Sequence, residues 1–290
     1  MTRKPSRGID CAETQLLLAG FNARRLEPQF SHSGWPADVA ADFELLRLEG
    51  AFMDEARRHV APQIVGVPTQ PDAFVAWFED LRISGPGQGD PLFPWLAEHA
   101  SMSQMRWFLE QEIAGEAGFD DLIALTQIKM PQRAKLEMAR NYWDEMGRGA
   151  PLGMHGPMLS RLAAQLNISP THETTVFEAL ALGNLMMALA CNRRFAFQAV
   201  GALGVIEMTA PTRVGYVNEG LGRLGLSREA RHYFALHETL DVKHSRAWNT
   251  EILEPLVRDD PRRAIAIAEG AILRLWCGAR CFARYNDEFK

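Results

Sequence analysis

YFALHETLDVKHSRAWN, residues 233–249, places His237, Asp241 and His244 within a segment otherwise built from Phe234, Leu236, Leu240, Val242 and Ala247. The polar residues are spaced by four and then three. In a helix turning about 100° per residue, three side chains so spaced lie within roughly 60° of one another and form a single stripe. Such a stripe could supply half of a metal site. It could equally be an exposed polar face or a buried hydrogen-bonded network, because imidazoles and acids serve all three purposes.

The rest of the chain supports the helical reading. Its 290 residues are 47% apolar, enough for a sizeable core. Helical periodicity recurs between breaks at Gly and Pro, and neither an alternating strand pattern nor an internal repeat stands out. The fold class is therefore all-α. Residues 38–61 form the first strong helix, ending near Pro62, and PTQPDAFVAWFEDL and the loop SGPGQGDPLFP separate this front part from the remainder. From about residue 95, helices are expected near 96–128 (with a break around Gly115 and Gly118), 131–146, 156–166, 172–191, 193–208, 210–224, 227–250 and 261–285. Short connections between them suit a bundle. This divides the chain into residues 1–94, an N-terminal arm and helical extension, and residues 95–290, the bundle. The first 35 or so residues read as polar and irregular: an ordered arm, a lid or a frayed end.

Bulk charge narrows the function classes. Lys plus Arg number 31 against 36 Asp plus Glu, a formal charge of -5 without a like-charged tail. Nucleic acid is a poor partner for such a chain. The LLLAGF run near the N-terminus is too short for a membrane span, and Asp10 and Glu13 before it argue against a signal peptide, so the expected location is cytoplasmic. The four cysteines lack CxxC spacing and read as ordinary reduced thiols. Phosphate loops, nucleophile elbows and dinucleotide fingerprints are not found in the sequence.

Further candidate groups lie upstream of the stripe. In NYWDEMGRGAPLGMHGPML, Glu145 ends one helical pattern, glycines and a proline interrupt it, and His155 begins the next. Both side chains could point inward at one place. Glu112 and Glu116 stand one turn apart in MRWFLEQEIAGEAGF, and Glu207 lies among Val205, Ile206 and Met208. A charged Glu207, if buried there, needs a partner, and a metal is one such partner. Taken singly, each Glu is as readily a solvated face residue and His155 a cap.

Taken together, a Glu-bearing early helix, NYWDEMGRGAPLGMH and HETLDVKH resemble the haem-oxygenase-like iron-dependent oxidases and oxygenases, the iron-containing redox enzyme family. These proteins are fold relatives of the thiaminase-II and pyrroloquinoline-quinone synthase proteins. The resemblance spans roughly residues 95–285. It implies a haem-oxygenase-like seven-helix bundle with a non-haem centre, two Fe(II) ions and no haem. By carry-over His237, Asp241, His244, Glu145 and His155 are metal ligands, joined by Glu116 or, alternatively, Glu112. Glu207 matches an extra carboxylate that takes part in catalysis. The implied partners are dioxygen, an electron donor and a small organic substrate of amine, amino-acid or fatty-acid type; a homodimer would fit bundles of this kind. The competing readings are a metal-free thiaminase-type enzyme using Cys191, the one plausible internal nucleophile, and a non-catalytic helical binding protein.

Overall fold

In the computed structural model, residues 11–290 are described except 32, 117 and 118, and the side chains of 115, 116 and 119 also lie outside the description. Among the described residues the chain is helical throughout, with a single isolated bridge, Met146 to Met154, in place of any strand. The helices are α1 (Ala12–Leu26), α2 (Trp35–Val60), α3 (Pro71–Ser84), α4 (Leu92–Glu98), α5 (Met102–Glu116), α6 (Phe119–Thr126), α7 (Gln132–Glu145), α8 (His155–Leu166), α9 (Phe177–Cys191), α10 (Ala196–Arg223), α11 (His232–Ala247), α12 (Glu254–Asp259) and α13 (Arg262–Glu288).

Three differences from the sequence reading have physical causes. The segment taken as irregular contains α1, whose Leu18, Ala19 and Phe21 are buried. Polar pins secure it: Asn22 Nδ2 donates to Asn184 Oδ1 (2.8 Å), and Asn184 Nδ2 donates to the Gln15 carbonyl and Oε1 (2.9 Å each). The stretch expected as one broken helix over 96–128 is α4, α5 and α6: the chain leaves helix at His99–Ser101, and the break expected around Gly115 and Gly118 reaches outside the described residues. The helices expected at 193–208 and 210–224 are one helix, α10, running through Pro211. A proline forfeits the hydrogen bond to the carbonyl four residues earlier, which here belongs to Glu207. Packing on both sides compensates for that lost bond.

That packing is divided. One apolar cluster joins α1–α3, α6, α7, α9, the segment 248–257 and the first halves of α10 and α13; a second joins α4, α5, α8, the start of α11 and the second halves of α10 and α13. Along α10 the first ends at Met208 and the second resumes at Val217; along α13 the corresponding change falls between Cys277 and Cys281. Glu207 thus sits at a seam. Where α10 crosses α13 the backbones touch: a Cβ on Gly201 would overlap the Ile267 carbonyl and one on Gly270 would overlap the Gln198 carbonyl. Only glycine permits this approach. A π-helical turn, Trp248–Leu253, follows α11 and buries Trp248, whose Nε1 donates to the Val200 carbonyl (3.2 Å).

Gly270→Ala should therefore separate α10 from α13 and lower unfolding free energy by about 2 kcal/mol. Gly183→Ala, at a helical position with open space around it, should raise it by about 0.5 kcal/mol. Urea denaturation of both variants checks the contrast.

Candidate metal centre

Helix α11 presents Tyr233, His237, Asp241 and His244 along one buried face; the spacing predicted the shared stripe of the last three and left its burial open. The His237 Nδ1–H donates to the Tyr233 carbonyl one turn back (2.8 Å). This fixes the ring and turns Nε2 toward Glu145 Oε2, 3.4 Å away. Glu145 closes α7, and His155 is the first residue of α8. Between them the chain makes two tight turns, with Gly147, Arg148 and Gly149 all left-handed. A Cβ on Gly147 would lie 2.5 Å from the Gly153 carbonyl carbon, so glycine there lets the loop close on itself. The closure sets His155 Nδ1 2.8 Å from Glu145 Oε2, while His155 Nε2 faces the Tyr233 hydroxyl at 3.3 Å.

The other oxygen of Glu145 faces a second group. Oε1 is 3.9 Å from His244 Nδ1, which lies 3.3 Å from Glu207 Oε2. His244 Nε2 is 3.1 Å from Asp144 Oδ2, and Asp144 accepts from Arg148 Nε (2.6 Å). Glu207 Oε1 accepts from Asn141 Nδ2 (2.7 Å). Two donor triads result, Glu145–His155–His237 and Glu145–Glu207–His244, each with potential ligating atoms within 4.8 Å of one another. Glu145 belongs to both.

Two observations bear on whether a cation fits. Asp241 Oδ1 is buried without a hydrogen-bond partner, and His244 Nδ1, although 3.3 Å from Glu207 Oε2, lacks hydrogen-bond geometry to it. Buried polar atoms without partners are uncommon and call for a missing group. The donors are imidazole nitrogen and carboxylate oxygen, a mixture suited to iron. Asp241 stands in neither triad, though it shares their cavity.

The charges tell the same story. Burial pushes the Glu145 carboxyl up, but hydrogen bonds from His155 and His237 outweigh it and hold the group far below the usual range. Burial depresses His237, yet Glu145 and Asp241 lift it to about 9; His244, likewise depressed by burial, is lifted to about 10 by Glu207 and Asp144. Burial, reinforced by Glu207, drives Asp241 well above the carboxylate range. Protons are the counter-charge of this set of acids, and a divalent cation is the alternative one.

The centre opens into a cavity with largely apolar walls, including Phe108, Leu109, Leu159 and Phe234. Glu112 lines it and accepts from the Tyr285 hydroxyl (3.0 Å). Glu116, the ligand preferred from sequence, has its side chain outside the described residues. Cys191, proposed for metal-free chemistry, is not among the cavity's lining residues; it lies half-buried at the end of α9, beside Arg25 and Glu49, with burial pushing its thiol up. Cys277 and Cys281 are buried free thiols, as expected. Three residues that hold the site had not been picked out. Asn141 and Tyr233 each lie one helical turn before a candidate ligand, a spacing visible in the sequence. Asp144 carried only the weaker signal of Arg148 four residues on.

Comparison with known proteins gives a match to the family model described as iron-containing redox enzyme, over residues 106–279. Similar solved structures include a CADD-like protein of unknown function from Nostoc punctiforme PCC 73102, at TM-score 0.60 and 14% identity, covering 75% of this chain and 97% of that one. Another is a domain of unknown function with a haem-oxygenase-like fold from Shewanella denitrificans OS217, at TM-score 0.51 and 16% identity, covering 74% and 90%. At these identities the likeness establishes the fold. No curated protein matches the sequence. Among the described residues no helix is long and apolar enough to cross a membrane.

His237 and His244 have raised folded-state values, so their stabilisation is complete below pH 6.5 and is lost as pH rises through 9 to 10. The raised Asp241 acts in the same direction. Chelator-treated protein should therefore lose on the order of 3 kcal/mol between pH 6.5 and 10, measured by denaturant titration across that range.

Proposed function

The chain belongs to the iron-containing redox enzyme family, and from that premise we propose that it is a non-haem oxidase or oxygenase holding two ferrous ions, with Glu145 between them. The observation that carries this reading is that the two oxygens of Glu145 face separate donor sets. His155 and His237 serve one ion; His244 and Glu207 serve the other. Asp241, with an oxygen lacking a partner, adds a donor in the same cavity, and Glu112 or Glu116 from α5 completes the set. Bound iron supplies electrons to dioxygen, which the side chains alone cannot do.

The protein's own contribution is positioning. The Tyr233 carbonyl orients His237, Asp144 holds His244, and Asn141 holds one oxygen of Glu207; supports of this kind are worth about 10- to 100-fold in metal affinity. Glu207 is the acid best able to shift its grip, since Asn141 alone bonds its Oε1. The apolar walls exclude water from reactive species and receive a small organic substrate, with the electron donor coming from outside the chain.

Metal analysis after production in iron-rich medium should find about two irons per chain, the number the two triads would hold. Glu145→Ala should retain neither ion and His244→Ala at most one. Anaerobic Fe(II) at a hundred times its Kd should stabilise the parent by about 2.7 kcal/mol, and subsequent oxygen should be consumed, as read by an oxygen electrode. Absence of iron from the parent, or iron retained undiminished by Glu145→Ala, contradicts the assignment.

A further inference from the structure

Helix α7 has two faces of opposite character. The inner face buries Glu137, Asn141 and Glu145, the last of them at the metal centre. The outer face and the α7–α8 connection leave three large apolar side chains in solvent: Leu136 at 60% exposure, Trp143 at 54% and Leu152 at 74%. They lie along one surface. Leu136 and Trp143 stand two turns apart on the same side of the helix, and the indole rests against the connection, where a Cβ on Gly149 would come 3.1 Å from its Cη2. Leu152 follows three residues later, its carbonyl accepting from Arg161 of α8.

The charges around these side chains are mostly of one sign. Between residues 131 and 153, Arg133, Lys135, Arg140 and Arg148 are exposed, whereas Glu137 and Glu145 are buried and the Asp144 side chain is 13% exposed. Arg140 pairs with Glu137 and Arg148 with Asp144, so each acid lies inward of a guanidinium whose side chain keeps 67% or 69% of its exposure. At the edge, Arg133 Nε donates to Glu251 of the π-helical turn (2.6 Å). Arg161, exposed on α8, adds a further cation. The chain as a whole carries -5. A positive face on a negative molecule steers an acidic partner to that face and repels it from the rest. Tryptophan and arginine are also the side chains that most often anchor a protein interface.

We infer that the outer face of α7 and the α7–α8 connection form the docking surface for a small acidic one-electron carrier protein, with Trp143 at its middle. The inference rests on the proposed function for the use of the electrons; the surface itself stands on Leu136, Trp143, Leu152 and the cations around them. Iron that gives electrons to dioxygen has to receive them back. The apolar cavity admits small molecules, not a protein, whereas α7 offers a short path. Glu145 lies on its inner face and Trp143 on its outer one, so a docked carrier and the centre are separated by the width of one helix, about 10 to 12 Å with its side chains. Each reduced carrier gives up one electron and one ferric ion becomes ferrous; two encounters restore two ions, and neither a bond nor a proton changes hands. Contacts between electron-transfer partners are small and transient, which suits three apolar side chains ringed by cations.

Binding and electron transfer test this separately. The full chain as purified is titrated by calorimetry with an oxidised plant-type [2Fe–2S] ferredoxin, which is acidic, and with cytochrome c, which is basic. Ferredoxin should bind and cytochrome c should not, and raising salt from about 20 to about 500 mM should weaken ferredoxin binding at least about 10-fold. Lys135→Glu combined with Arg161→Glu, which touches no group at the centre, should weaken it about 10-fold at low salt. Trp143→Ala should do the same at either salt concentration, about 10-fold. In anaerobic stopped flow, prereduced ferredoxin should be oxidised by the ferric protein, and more slowly by both variants, while dithionite in high salt, where surface charge is screened, reduces all three alike. Chelator-treated protein should keep its ferredoxin binding, so a failure of iron loading would sink the proposed function and leave this inference standing. The inference is overturned if ferredoxin does not bind, if cytochrome c binds as well, or if both variants bind and oxidise ferredoxin like the parent while matching it by circular dichroism. Tighter binding of a single-stranded oligonucleotide than of ferredoxin would assign the face to nucleic acid and likewise overturn it.

Discussion

Charge compensation within an apolar bundle is the constraint on which this structure turns. Glu145, 3% exposed, lies deep among hydrophobic helices. An isolated carboxylate there would be neutralised or expelled, because taking a bare ion out of water costs far more than a domain's net stability can supply. Three imidazoles from α8 and α11 surround it, and they in turn are held by Tyr233, Asp144 and Glu207. The helices converge at this point because their polar residues must meet.

The two apolar clusters provide the frame for that meeting. Neither encloses the polar set; it occupies the seam between them, where α10 carries a proline and the α7–α8 connection folds back on itself. Backbone contact at Gly201 and Gly270 holds α10 and α13 together below the seam, which keeps Glu207 in register with Asn141 and His244. A rigid scaffold with a polar fault line suits a centre that must hold a cation and still admit small molecules.

Much of this was legible in the sequence, and the reason is spacing. His237, Asp241 and His244 share a stripe because helical geometry requires it, and the stripe proved buried. The glycines between Glu145 and His155 announced a break that would let two distant positions face each other, and the measured 2.8 Å contact follows from it. What could not be read was anything decided by tertiary packing. Pro211 signals a helix end by local rules, yet α10 continues because both its halves are anchored in cores. The Asn22, Gln15 and Asn184 bonds that order α1 join residues more than 160 positions apart, beyond any local pattern. Asp144 escaped notice because its role depends on the rotation of α7 relative to α11, which periodicity alone does not fix.

The division of α10 between two clusters also bears on how such a protein can change over time. Substitutions in regions that share few partners add nearly independently. The second cluster supplies most of the cavity's apolar surface, including Phe108, Leu109, Leu159 and Phe234, whereas Ala134 and Met138 of α7 and Val205 and Met208, which flank Glu207 on α10, belong to the first. Descendants of one ancestral chain could therefore remodel the chamber for new molecules while the supporting half drifts under a separate set of demands.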